Sequence, residues 1–185
     1  MIALLFETHS TSLDNEAGLA SGWYDIDLST RGETLARELG ERYRNRELEI
    51  VFCSDLRRSY RTAEIAFAQG TVPIVRDARL RECNYGSLTR RPASEIEARR
   101  ADAIANRFPD GESYAEATAR VATCLAAIAR DYNGPALIIG HRATFHALEH
   151  LLGRVPLTQT IEAAWKWQPG WVYELPRDFR PDSAP

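Results

Sequence analysis

Short apolar runs punctuate the chain: IALLF at 2–6, EIVFC at 49–53 and ALIIG at 136–140. After each, apolar positions recur every three or four residues among polar ones. Runs this short, bounded by turn signals, read as buried parallel strands, and the periodic stretches after them read as helices. A polar stretch from 10 to about 30 follows the first run and holds Gly18, Gly22 and Trp23. Structureless loops of that length are uncommon inside compact domains and are usually functional. The stretch enters a helix near Ser29 that carries Leu35, Ala36, Leu39 and Tyr43 on one stripe. A second helix sets Leu56, Tyr60, Ala63 and Phe67 on one face and stops at Gly70. TVPIV reads as a shorter strand near a sheet edge, because Pro73 cannot donate to a ladder.

The segment from 80 to 110 is mixed: a turn at 84–87, a predicted helix over 93–105, then FPDGES. Gly111 and Ser113 open a long helix whose buried stripe is Tyr114, Ala117, Val121, Cys124, Leu125 and Ile128. Asn133-Gly134-Pro135 is a turn, 143–152 a helix and WVYEL a last strand. No internal repeat or linker interrupts this order. The expectation is one domain over 1–185, a three-layer α/β fold with a mostly parallel sheet flanked by helices.

Composition narrows the class. With 185 residues, 44% hydrophobic and 26% charged, the chain has an ordinary globular balance. Its net charge of −3 gives no electrostatic case for nucleic acid or an anionic membrane as partner. Lys166 is the single lysine among many arginines, which reads as a coding bias. No apolar stretch approaches a membrane span, and the first run is too short for a secretory signal. Cys53, Cys83 and Cys124 form neither metal-type spacing nor a disulfide framework. A cytoplasmic setting is expected, with a small anionic molecule as substrate, no cofactor, and a homodimer as an open assembly state.

The chemistry sits where the runs end. His9 follows the first run and His141 follows ALIIG, while EIVFC is followed by Ser54, Asp55, Arg57 and Arg58. In open parallel sheets, ligands bind outside the carboxyl ends of the strands. Two imidazoles and a guanidinium emerging there make a positively polarised pocket suited to a phosphoryl group.

The order of these segments resembles the histidine phosphatase, or phosphoglycerate mutase-like, superfamily. THSTSLDN stands in the register of its first motif, matching at His9 and Asn15, with Ser12 replacing a threonine. Gly22-Trp23 followed by LSTRG resembles the continuation into the first helix. SDLRRSYRTA resembles the second motif and nominates Arg58 over Arg57, LRECNYG nominates Glu82, and IIGH ends on His141. The resemblance implies a phosphoglycerate mutase-like fold and a metal-independent phosphomonoesterase. In it His9 forms a phosphohistidine, Arg58 and His141 stabilise the equatorial oxygens, and Glu82 acts as acid and then base. Ser12, Asn15, Gly22 and Arg142 are the candidate substrate-binding residues. Mutase activity is disfavoured, because mutases of the superfamily carry an insertion before the second histidine and the Glu82-to-His141 stretch here is short.

The chain departs from the first motif at two positions: Thr8 replaces its arginine and Ser10 its glycine. Loss of one preorganised donor costs about 10²–10³ in rate. Arg142, Arg90 or Arg91 could restore the charge. Alternatively the pocket performs acid–base chemistry on a non-phosphate substrate in a repurposed biosynthetic role, or binds an anion without turnover. A rival motif, His146-x-x-Glu149-His150, fits a zinc-protease pattern. Helical phase, however, puts Phe145, Leu148, Leu151 and Leu152 on the buried side and the three ligands on a polar face. Trp165, Trp167 and Trp171 are expected to cover one end of the sheet or to wall a pocket with Trp23.

Overall fold

The computed structural model describes residues 1–183. In chain order its elements are β1 (Ile2–Thr8), α1 (Leu13–Glu16), α2 (Thr30–Tyr43), β2 (Ile50–Cys53), α3 (Arg57–Ala66), β3 (Ile74–Arg76), α4 (Ala93–Glu97), α5 (Tyr114–Asp131), β4 (Ala136–Gly140), α6 (Arg142–Leu151), α7 (Leu157–Glu162) and β5 (Trp171–Leu175). The strands lie in the order β3-β2-β4-β1-β5. The first four run parallel, and β5 pairs antiparallel with β1.

Strand alternation decides which side chain faces which layer. Leu4, Phe6, Phe52 and Ile138 pack with Val121, Leu125 and Ile128 of α5 and Leu148 of α6. Leu5, Val51, Leu137 and Ile139 point the other way, onto Leu39 of α2 and Ala63 of α3. A run apolar at successive positions needs cover on both faces, and three layers supply it. The α2–α3 layer is close-packed: a Cβ on Gly40 would lie 2.2 Å from the Ala66 carbonyl oxygen. Caps set the helix starts. Ser29 accepts from the Gly32 N–H at 3.1 Å, and Ser113 and Glu116 form a reciprocal capping box at the head of α5.

Sheet order is what builds the crevice. β4 is inserted between β2 and β1, so two strands distant in sequence end side by side. Thr8 lies opposite Gly140, and the His9 N–H donates to the Gly140 carbonyl at 2.9 Å. Such a strand-order reversal is where parallel sheets open a crevice for ligands.

Several local expectations are corrected. The 10–30 stretch is not structureless. It carries α1, and Ser12 bridges back to Leu28 in antiparallel pairing. The helix predicted over 93–105 ends at Glu97 and resumes only as a 3-10 turn at Asp102–Ile104. Its stripe has only Ile96 and Ala103 to bury there, and Arg100 turns inward to polar partners. α3 stops at Ala66 rather than Gly70. His146 is not on a polar face: it is 2% exposed, whereas Phe145 is only partly buried. Helix α6 packs against both α5 and α7, so the phase of its apolar stripe alone could not predict its burial. Among the described residues, no helix is long and apolar enough to cross a membrane.

Candidate active site

The residue after β1 and the residue after β4 face each other. The rings of His9 and His141 lie 4.9 Å apart, centroid to centroid, at 58°. The Nδ1 of His9 is 2.7 Å from the carbonyl oxygen of Ser10. A carbonyl only accepts, so Nδ1 carries the proton and Nε2 keeps its lone pair. Burial, and secondarily the Arg58 charge, lowers the His9 pKa to about 3, so the ring is neutral at neutral pH. Ser10 is fixed in turn, its N–H donating to the Thr62 hydroxyl at 3.0 Å.

His141 is held by a residue the sequence reading left without a role. The Ser54 Oγ, just past the end of β2, lies 2.7 Å from His141 Nε2. Ser54 Oγ also accepts from the Leu56 N–H at 3.3 Å, so the serine is anchored at the end of β2 and holds the His141 ring from one side. His141 Nδ1 is buried and has no hydrogen-bond partner among the described residues. Burial, Arg58 and His9 together hold the His141 pKa well below the ordinary imidazole value. Ser54 stands at the end of its strand as His9 and His141 stand at theirs, and that position was its signal in the sequence.

Arg58, in the first turn of α3, is 2% exposed, while its neighbour Arg57 is exposed. Its guanidinium donates to two backbone carbonyls, Tyr24 O at 3.1 Å and Gly22 O at 2.8 Å. No carboxylate lies within salt-bridge distance among the described residues. Burial pulls its pKa down, opposed chiefly by the Glu82 charge. A buried cation held only by carbonyls is a receptor for an anion. Gly22 is therefore placed as a support for Arg58. Its φ of +51° is left-handed, and a Cβ there would meet the Tyr85 ring at 3.1 Å.

Glu82 is buried beside the start of α6. Its Oε1 accepts from the N–H groups of Cys83 at 2.8 Å and Ala143 at 3.1 Å. Those bonds fix the carboxyl group through one oxygen and leave Oε2 for proton transfer. Trp23 Nε1 donates to the Glu82 carbonyl at 2.7 Å and ties the 10–30 segment to the acid.

The other nominated residues are engaged differently. Ser12 and Asn15 cap α1 reciprocally, at 3.0 and 3.1 Å, using Asn15 Oδ1 and leaving its amide nitrogen outside the cap. The three arginines nominated to replace the missing charge are all held by carboxylates: Arg90 by Asp14, Arg91 by Glu95 and Arg142 by Glu97. The zinc pattern is dispersed. His146 faces Arg100, Glu149 accepts from Tyr173, and His150 faces the Val155 carbonyl. Trp165 and Trp171 stack with ring centroids 5.7 Å apart and pack on Phe145, while Trp167 is exposed.

The sequence profile of the histidine phosphatase superfamily (branch 1) matches residues 5–174. The chain belongs to that superfamily. It is 34% identical over 149 residues to a Bacillus subtilis protein named uncharacterized phosphatase PhoE, a match covering 80% of this chain and 76% of that one. It is 35% identical over 150 residues to a protein named probable phosphoglycerate mutase GpmB from Erwinia tasmaniensis, covering 76% and 70% of the two chains. In three dimensions it is similar to a mycobacterial glucosyl-3-phosphoglycerate phosphatase solved with VO3. That match has a TM-score of 0.77 and 25% identity, over 88% of this chain and 87% of that one. Relatives within the superfamily are thus phosphatases and phosphoglycerate mutases, and the mostly parallel five-stranded sheet flanked by helices matches their fold.

Proposed function

We propose that the chain is a metal-independent phosphomonoesterase that hydrolyses a small phosphorylated metabolite through a phosphohistidine at His9. One observation carries the reading: a neutral imidazole with its Nδ1 proton committed to Ser10 stands near a buried guanidinium that has no carboxylate partner among the described residues. The first is a nucleophile and the second an oxyanion receptor.

In the first step His9 Nε2 attacks phosphorus in line as the ester P–O bond breaks, and protonated Glu82 delivers its proton to the departing oxygen. Arg58 and His141 stabilise the charge on the equatorial oxygens, where fixed dipoles count most. In the second step the Glu82 carboxylate takes a proton from water, the water oxygen attacks phosphorus, and the P–N bond returns its electrons to Nε2. Inorganic phosphate leaves and Glu82 is again protonated.

The test is hydrolysis of an aryl phosphate in excess chelator, with acid-quench trapping of the labelled imidazole. Turnover that His9→Ala abolishes, with label on His9 in the parent chain, is the expected result. Absence of both label and turnover overturns it. Thr8 favours a second reading, acid–base chemistry on a non-phosphate anion, because a hydroxyl cannot replace a bidentate guanidinium. An inactive parent chain that gains phosphatase activity on Thr8→Arg would select that reading.

A further inference from the structure

Helix α3 buries Arg58, Ser59 and Thr62, and neither hydroxyl-bearing residue has any exposed surface. Thr62, one helical turn after Arg58, uses its hydroxyl twice. Its Oγ1 donates to the Arg58 carbonyl at 2.7 Å. That back-bond commits the single hydroxyl proton to the helix and leaves only lone pairs to face outward. They receive the Ser10 N–H, which donates to Oγ1 at 3.0 Å. Ser10 is also the residue whose carbonyl takes the Nδ1 proton of His9, at 2.7 Å. Both backbone groups of Ser10 are thus engaged, one by the helix that carries Arg58 and the other by the imidazole.

The direction of the Ser10 carbonyl decides which ring nitrogen of His9 keeps its lone pair. The carbonyl of the next residue, Thr11, accepts from the Ser29 N–H at 3.0 Å, at the head of α2. The turn after β1 is therefore pinned by α3 at Ser10 and by α2 at Thr11, and only the first pin falls on the residue that bonds the ring. The Ser10–Thr62 bond is buried, so an N–H deprived of Oγ1 must turn toward another acceptor or stay unpaired at a cost. Ser59 is bonded on the opposite side of the site. Its Oγ donates to the Ile139 carbonyl at 2.8 Å and accepts from the Ser54 N–H at 3.1 Å, next to His141 and away from His9.

We propose that the Thr62 hydroxyl is a positioning group that fixes the Ser10 turn, and through it the Nδ1–H tautomer of His9, relative to Arg58. Its effect on turnover rests on the phosphatase reading above, whereas its effect on the ring does not.

Thr62→Val keeps the side-chain shape and deletes the hydroxyl, and Thr62→Ser keeps the hydroxyl. With an aryl phosphate, Thr62→Val should lower kcat about 10- to 100-fold while KM changes less than about threefold, and Thr62→Ser should recover most of the loss. Nitrogen NMR of isotope-labelled histidine rings reads the positioning directly. The parent chain and Thr62→Ser should show His9 protonated on Nδ1 alone, and Thr62→Val a mixture with the Nε2–H form. Ser59→Ala removes an equally buried hydroxyl from the same helix and should leave the His9 signals in place. Parental kcat in Thr62→Val, or a lowered melting temperature with a parental His9 spectrum, overturns the proposal. A His9 signal that moves as far in Ser59→Ala does so too, because it would report general loosening of α3. A parent chain with its His9 proton on Nε2 also overturns it, without any variant having to fold. If the parent chain hydrolyses no phosphate ester, the phosphatase reading fails on its own, and the ring spectra of the parent, Thr62→Val and Thr62→Ser chains still decide the role of Thr62.

Discussion

His9 and His141, contributed by strands β1 and β4, sit with ring centroids 4.9 Å apart, and both are held neutral by burial and by Arg58. Two imidazolium ions at that separation would repel each other in a poorly solvated crevice. In the proposed mechanism, that neutrality leaves His9 a lone pair with which to attack phosphorus.

Folding stability should therefore fall as pH drops from about 6.5 to 5. His9 and His146 titrate near 3 in the fold, and His141 also titrates well below its ordinary value. In the unfolded chain each binds a proton near pH 6.5, so the unfolded state holds more protons throughout that window. The slope approaches about 1.4 kcal/mol per pH unit for each such histidine once the unfolded chain is protonated. Denaturant midpoints measured from pH 7.5 to 5 check it, and a flat profile would show that these rings titrate normally.

Ser54→Ala should lower kcat about 10- to 100-fold with a smaller effect on KM. The hydroxyl holds the His141 ring through its Nε2, and leaving a buried partner unpaired costs roughly 1–3 kcal/mol. Steady-state kinetics decide between this and a packing role, in which the loss would appear in the melting temperature and not in kcat.

Glu82→Gln should separate substrates by leaving group. The amide oxygen can still accept from Cys83 and Ala143, so the start of α6 stays capped. An alkyl phosphate, which needs its oxygen protonated, should lose about 10²–10⁴ in kcat, and an aryl phosphate much less. Equal losses on both would mean that Glu82 serves only as a cap.

Gly22→Ala should raise KM and destabilise the fold by about 1–3 kcal/mol. The position requires a positive φ and has the Tyr85 ring against it, and its carbonyl is one of two that hold Arg58. Thermal melts and phosphate-ester kinetics on the same variant test both parts. A stable variant with unchanged KM would show that Arg58 does not depend on this carbonyl.

The sequence by itself determined the strands, the layers and the residue types at the strand ends. IALLF, EIVFC and ALIIG are apolar at consecutive positions, which only a doubly covered sheet accommodates. The candidate residues His9, Ser54 and His141 each directly follow the strand that such a run forms. Pairing was another matter. That His141 binds Ser54, that Arg142 is parked on Glu97, and that His146 is buried rather than solvated were decided by the tertiary structure alone. Periodicity records how one element meets its own layer. Contacts across the crevice depend on the insertion of β4 between β2 and β1, and on segments folded over α6 from elsewhere in the chain, and no local pattern in the sequence encodes either.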